Sequence, residues 1–205
     1  MIKKDKSFLI ILSAPSGGGK NAILNEVLKA SPDIDYSVSY TTRAPRGNEK
    51  NGVIYHFVTE EEFLRRREEG DFLESAEVFG KWYGTSKSFV RSRLEAGHHV
   101  IMDIDVQGAA QITNTDVPNV KIFIMPPSME VLRDRLKKRG TDSDEEIQKR
   151  LEIAREEVKQ LLHYDYLVVN DLLETAVQDV LAIIRAEENR VSRYIRPSEG
   201  FLKQE

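Results

Sequence analysis

The 205-residue chain contains no cysteine. That excludes a disulfide framework and a thiolate metal site, and it is compatible with a reducing compartment. No apolar run approaches the ~20 residues that a membrane-spanning helix needs, and the charged start MIKKDKS leads into an apolar stretch that ends at a run of glycines. Charge of one sign is not in excess either, since 30 Lys plus Arg face 34 Asp plus Glu for a net charge of −4. Nucleic-acid binding by bulk electrostatics is therefore disfavoured, and local arginine clusters matter more. Internal repeats and low-complexity segments are absent from the sequence. What is present is a 40% hydrophobic composition, enough to fill the core of one sizeable domain with inserted lobes. The expectation is a soluble, cytoplasmic protein.

Phe8 to Leu28, FLIILSAPSGGGKNAILNEVL, joins an apolar run, a glycine-rich turn and a helical pattern without a break. The run Phe8 to Leu12 reads as a buried strand, and Ile23, Leu24, Val27 and Leu28 give the following helix an apolar face. Ala14 to Asn21 lies on the phosphate-loop template, a glycine, four free residues, then Gly-Lys-Ser/Thr. It departs from that template at both ends, with Ala14 in place of the first glycine and Asn21 in place of the hydroxyl residue. Gly17, Gly18, Gly19 and Lys20 remain. Residues without a Cβ let consecutive N–H groups turn inward around a phosphate, the next helix adds its free N–H groups and positive end, and the lysine supplies a mobile charge.

Further along, Tyr36, Val38 and Tyr40 alternate with Ser37, Ser39 and Thr41 as in a half-exposed strand. Arg43 and Arg46 flank a proline in the turn that follows, Asn51-Gly52 marks another turn, and Val53 to Val58 reads as a short strand. Thr59 with Glu60, Glu61 and Glu62 predicts a capped helix that Gly70 stops, and Phe72 to Phe79 with Trp82 to Thr85 completes a small antiparallel or mixed sheet. Apolar runs return at His99 to Asp105, ending in the carboxylates Asp103 and Asp105, and again at Val120 to Met125 and Tyr166 to Val169. Helical patterns separate them: Met129 to Arg139, Ile147 to His163 and Glu174 to Tyr194, with Arg196 to Glu205 as a tail. The fold class this predicts is α/β, a parallel sheet with helices on both faces and ligands at the strand ends.

The glycine loop, Ser39 to Arg46, Asn51-Gly52 with Tyr55-His56-Phe57, Tyr83-Gly84-Thr85, Asp103 to Gly108, Pro126-Pro127-Ser128, Arg139-Gly140-Thr141 and Val169-Asn170-Asp171 follow in this order. In this the chain resembles the guanylate kinase family from about Phe8 to Arg185. The resemblance implies a P-loop core (1–34, 99–135 and 164–205), a GMP-binding lobe (35–98) and a helical lid (136–163). It also implies phosphoryl transfer from Mg-ATP to GMP or dGMP. On these terms ATP meets Ala14, Pro15, Ser16, Gly17, Gly18, Gly19, Lys20, Asn21, Ala22 and Arg139, with Asn170 at the adenine ring. GMP meets Ser39, Arg43, Arg46, Tyr55, Glu74, Tyr83, Thr85 and Asp105. Lys20, Arg43, Arg139 and Arg150 carry catalysis, while Asn21 and Asp103 hold Mg²⁺, mostly through water.

The chemistry of these residue types agrees with the resemblance. Guanine offers N1–H and an exocyclic amine as donors, which two carboxylates can accept, and adenine would leave those carboxylates unpaired. The arginine pair suits a phosphate through planar, bidentate donation. The attacking phosphate oxygen is already ionised, so alignment and charge neutralisation by cations suffice. Arg133, Arg135, Lys137 and Lys138 read as a solvated helix face. Two rivals remain: a phosphopeptide-binding module of guanylate-kinase-like form, which lacks the loop lysine, and a kinase for another monophosphate. The expected partners are ATP and GMP or dGMP, with neither nucleic acid nor membrane, and the sequence leaves open a homodimer or higher oligomer.

Overall fold

A computed structural model describes residues 3–4, 7–78, 80–112, 115–140 and 142–195. The end of the Phe72 to Phe79 element, Thr141 and the tail from Arg196 lie outside the described residues. The strands are β1 (Lys3–Lys4), β2 (Leu9–Ser13), β3 (Ile34–Tyr36), β4 (Tyr40–Thr41), β5 (His56–Phe57), β6 (Phe72–Val78), β7 (Lys81–Ser86), β8 (His99–Asp103), β9 (Asn119–Met125), β10 (Tyr166–Val169) and β11 (Tyr194–Ile195). The helices are α1 (Lys20–Ala30), α2 (Glu60–Glu68), α3 (Lys87–Glu95), α4 (Val106–Gln111), α5 (Met129–Arg139), α6 (Asp144–Val158) and α7 (Leu173–Glu188).

The central sheet has the order β10-β9-β2-β8-β3, and every pairing in it is parallel. Its middle strand β2 is buried at all five residues, as expected for a strand covered on both faces. Ile10 and Leu12 point into a cluster with Ile23 and Val27 of α1 and Val177 and Val180 of α7, while Leu9 and Ile11 point the opposite way toward Val90 and Met102. Each such side chain contributes on the order of 1.5–3 kcal/mol by leaving water. The fold is therefore the α/β sandwich read from the sequence, with β2 ending directly in the glycine loop.

A second sheet, β5-β4-β7-β6, mixes one parallel pairing (β4 with β5) with antiparallel ones. Phe63 of α2 stacks on Phe72 and Trp82 at centroid distances of 4.6 and 5.9 Å, so this lobe has a core of its own made of rings. The expected strand from Tyr36 to Thr41 divides between the sheets. Ile34–Tyr36 pairs with β8 in the central sheet and Tyr40–Thr41 with β7 in the second, because the buried Ser37 donates its N–H to Ile101 before the chain turns away. The strand expected over Val53 to Val58 is confined to His56–Phe57, since Val53 and Ile54 are exposed.

The helix stops follow local chemistry. Thr59 Oγ1 accepts from Glu62 N–H, as its sequence context predicts. Ser143 and Glu146 form a reciprocal capping box at the start of α6. Two long helical patterns end earlier than periodicity suggests: α6 stops at Val158 and passes into a 3₁₀ turn over Lys159–His163, and α7 stops at Glu188. Beyond α7 a 3₁₀ turn leads to β11, which pairs antiparallel with β1. Glu187 fixes this region from inside, accepting from Tyr166 Oη at 2.8 Å and Arg193 Nη2 at 2.7 Å. Leu132, Leu136, Ile147, Leu151 and Ala154 form a third, separate cluster between α5 and α6.

Candidate active site

Backbone geometry shapes the loop after β2. Gly17 and Gly19 have φ of +93° and +91°, a region costly for residues with a Cβ. A Cβ on Gly19 would also collide with Nδ2 of Asn170. No side chain caps α1 at Gly19; the Ala22 and Ile23 N–H groups donate to the Gly19 carbonyl, which leaves those of Lys20 and Asn21 for a ligand. These groups face a cavity of about 380 Å³ lined by Ala14, Pro15, Ser16, Gly17, Gly19, Lys20, Asn21, Ala22, Arg135 and Arg139. Asn170 is buried, and its Nδ2 donates to the Gly18 carbonyl at 2.9 Å. It therefore braces the loop from the end of β10 with one N–H, leaving the rest of its amide for a ligand.

Arg135 was expected to be solvated, and it is not. Its Nη2 donates to the Asn170 carbonyl at 2.8 Å, and its side chain lines the cavity beside Arg139. The sequence signal was the four-residue spacing of the two arginines, which puts them on one face of α5. Arg150 of α6 also reaches the loop, donating from Nη1 to Ser16 Oγ at 2.7 Å while its Nε lies 3.1 Å from Asp142.

A second cavity, about 220 Å³, is lined by Lys20, Ser39, Tyr55, Glu74, Ala76, Val78, Tyr83, Asp103, Ile104 and Asp105. Lys20 borders both cavities, with Nζ donating to the Ile104 carbonyl at 3.3 Å and standing 3.5 Å from Asp103 Oδ2. Asp103 Oδ1 accepts from Tyr36 Oη at 2.6 Å. Burial first, then Asp103, holds the Tyr36 phenol far above its ordinary value, so it stays a donor.

Glu74 follows a register break between Phe72 and Glu74 in the β6–β7 ladder, the kind of irregularity that re-aims a side chain. Its carboxyl is 5% exposed and accepts from Thr85 Oγ1 at 2.7 Å. Burial is the main force pushing this carboxyl up to about 7, with Asp105 adding to it and the Thr85 hydrogen bonds opposing. Asp105 caps α4, accepting from Gly108 N–H at 2.8 Å. A Cβ on Gly108 would come within 3.0 Å of Glu74 Oε2, so a glycine there is what lets the two carboxylates converge.

Arg43 stands next to this cavity rather than in its wall. Its guanidinium is held fork-to-fork by Glu49, with Nη2 and Nη1 each 3.0 Å from a carboxylate oxygen, and it lies 5.3 Å from the Tyr55 ring centroid. Glu49 is the partner that sequence reasoning missed, although it lies only three residues after Arg46 and accepts its N–H. The Arg46 side chain is exposed and lines neither cavity. Ser39, Tyr55, Glu74, Tyr83 and Asp105 thus come together as anticipated; Thr85 joins through Glu74, and Arg46 stays apart.

The larger cavity near His99, about 730 Å³, lies at the opposite end of the sheet. There Asp33, His99 and Glu188 cluster, but Phe8 N–H donates to His99 Nδ1 and His99 Nε2 is 3.0 Å from Glu188. The ring nitrogens are both engaged.

A glycine-rich loop leaving a central parallel strand, a lysine shared by two cavities, and converging carboxylates opposite it define a P-loop nucleotide-binding protein. The profile of the guanylate kinase family matches residues 6–187. The chain is 47% identical over 190 residues to a guanylate kinase of Caldanaerobacter subterraneus subsp. tengcongensis, covering 93% of this chain and 92% of that one. It is 48% identical over 185 residues to a guanylate kinase of Pseudomonas fluorescens, covering 90% of each. The crystal structure of guanylate kinase from Anaplasma phagocytophilum superposes with a TM-score of 0.79 at 35% identity, over 97% of this chain and 94% of that one. The chain belongs to the guanylate kinase family. No helix among the described residues is long and apolar enough to cross a membrane.

Proposed function

We propose that the protein transfers the terminal phosphoryl group of ATP to GMP, giving ADP and GDP, and that it accepts dGMP, which offers the same base and phosphate. The observation that carries this reading is the place of Lys20 on the border of a phosphate-loop cavity and a carboxylate-lined one. A phosphate oxygen of GMP attacks the γ-phosphorus, the bond to the β,γ-bridging oxygen breaks, and ADP leaves with the electron pair. Loop amides of Gly17, Gly19 and Lys20 hold the donor, that of Gly18 being bonded to the Pro15 carbonyl; Lys20 follows the migrating charge, and Arg139 and Arg150 close over it from the lid side. Arg135 joins them, since it shares their cavity. Glu74 and Asp105 accept from the guanine N1–H and amine, with Ser39 at O6; Thr85, buried and donating its hydroxyl to Glu74, acts through that carboxylate. Arg43, Tyr55 and Tyr83 take the acceptor phosphate, for which Arg43 must exchange Glu49; Arg46, exposed and outside both cavities, joins them only when its turn moves inward. Asn170 steadies the loop and reaches the adenine.

The donor set for a divalent cation is all oxygen, Asp103 in the carboxylate-lined cavity and the Asn21 amide in the loop cavity, on either side of Lys20, and it fits Mg²⁺ held mainly through water. When bound with ATP, Mg²⁺ neutralises phosphate charge. We place the working parts as a core (1–34, 99–135 and 164–205), a GMP lobe (35–98) and a lid (136–163), with the protein acting in the cytoplasm in purine nucleotide recycling. Release of ADP from Mg-ATP, measured against GMP, dGMP, AMP, CMP and UMP, tests the reading. Turnover with GMP and dGMP alone is expected, and equal turnover with AMP would overturn it.

A further inference from the structure

Glu157 closes the last turn of α6, seven residues after Arg150 and so on the same face of the helix. Both reach one loop residue. Arg150 donates to Ser16 Oγ, and the Glu157 carboxylate faces the Ser16 backbone N–H. Its Oε2 is buried with no hydrogen-bond partner. The charged and titratable groups whose fields act on it or feel it are the Lys20 ammonium at the start of α1, the Asp105 carboxylate capping α4, and the Tyr164 hydroxyl beyond the 3₁₀ turn. An ionised carboxylate in such a place needs compensating charge or donors. The favourable ones, the Lys20 charge and the Ser16 amide, are the same groups that a bound phosphate chain claims.

We propose that Glu157 is a positioning residue of the lid that competes with the donor nucleotide for the phosphate loop, so that nucleotide at the loop and negative charge at Glu157 exclude one another. The proposal rests on reading the loop cavity as the donor site. Its physical basis is the geometry just given: one helix presents a cation and an anion to Ser16, and the anion is the one that must be relieved when phosphates arrive. Relief comes by protonation or by withdrawal of the end of α6 from the loop. Burial, then Asp105, pushes the Glu157 carboxyl up to about 7 against Lys20 and the Ser16 amide. It is thus mostly neutral at pH 6 and mostly ionised at pH 8, and binding of phosphates draws a proton onto it. By reciprocity, the nucleotide binds more weakly as pH rises.

Calorimetric titration with Mg-ADP avoids both turnover and the GMP site. For the wild type, affinity is expected to fall about ten-fold from pH 6 to pH 8, within the usual range of coupling between sites. Titrations at pH 7 in two buffers of different ionisation heat should register proton uptake. Glu157→Gln and Glu157→Ala should each bind Mg-ADP at pH 8 about as tightly as the wild type does at pH 6, with proton uptake lost. If both variants bind no more tightly than the wild type at pH 8, the role assigned to Glu157 is wrong while the donor site stands. If the wild type binds no Mg-ADP at either pH, the donor-site reading falls, and this proposal with it.

Discussion

On one side of Lys20 the cavity presents backbone amides, carried by a loop that issues from a strand buried at every residue, and we read it as the donor side. On the other, which we read as the acceptor side, it presents side chains, carried largely by β6 and β7, which are only partly buried and belong to a small sheet with a ring-stacked core. The difference matches the two tasks. A phosphate chain can be held by any correctly spaced N–H groups, so the sequence there needs absent side chains and a rigid anchor. A purine edge is distinguished by which atoms donate and which accept, and only side chains such as Glu74 and Asp105 supply that information.

The contrast can be broken most forcefully at the residue both halves share. Lys20→Met should lower kcat on the order of 10³-fold, the scale of losing one charged contact to the transferring group. GMP affinity measured by titration should change little. The acceptor half can be broken alone with Glu74→Gln, where GMP affinity should fall by roughly 10–100-fold, several kcal/mol of unpaired polar groups at most, and Mg-ADP affinity should hold. The sign of its pH dependence follows from the raised carboxyl. Guanine needs the ionised form, so in the wild type KM for GMP should drop about ten-fold between pH 6 and pH 8 as Glu74 loses its proton near 7, whereas Glu74→Gln should lose that component of the pH dependence.

The donor half is tested by Gly19→Ala, which forces a Cβ toward Asn170 and a residue into positive φ. A stability loss of about 1–2 kcal/mol by thermal unfolding is expected, with ATP affinity reduced several-fold. Adding Asn170→Ala should recover part of the steric component, and a strictly additive double variant would argue that the two residues do not press on each other. The smallest effect belongs to Asn21→Ser. Restoring a hydroxyl should leave kcat equal or raise it by up to about three-fold at saturating Mg²⁺, and a clear fall would give the amide a role of its own.

Legibility in the sequence divided along the same line. The central sheet was readable because Leu9 to Leu12 and Val100 to Met102 are continuous apolar runs and Val120 to Ile124 is one broken only by Lys121, with helices between them. The loop was readable because three glycines and a lysine follow such a run. Side-chain pairings across the chain were not, since nothing local marks Glu49 as the partner of Arg43, Tyr36 as the donor to Asp103, or Glu157 as a neighbour of Ser16. Arg135 was passed over because a basic helix face reads as solvated until its neighbour across space, Asn170, is known. The early ends of α6 and α7 escaped periodicity for a similar reason, as apolar spacing continues through Leu161 and Val191 although those residues no longer lie in α-helix.

Pairing of Lys3–Lys4 with Tyr194–Ile195 brings the two ends of the described chain side by side, at the start of β2 rather than at its glycine-loop end. A short linker across them, with a new break in the exposed turn at Gly47 and Asn48, should yield a circularly permuted protein that keeps its parallel sheet. In such a permutant the arginine turn would lie at the new termini, freed from the covalent path that now runs between Arg46 and Glu49.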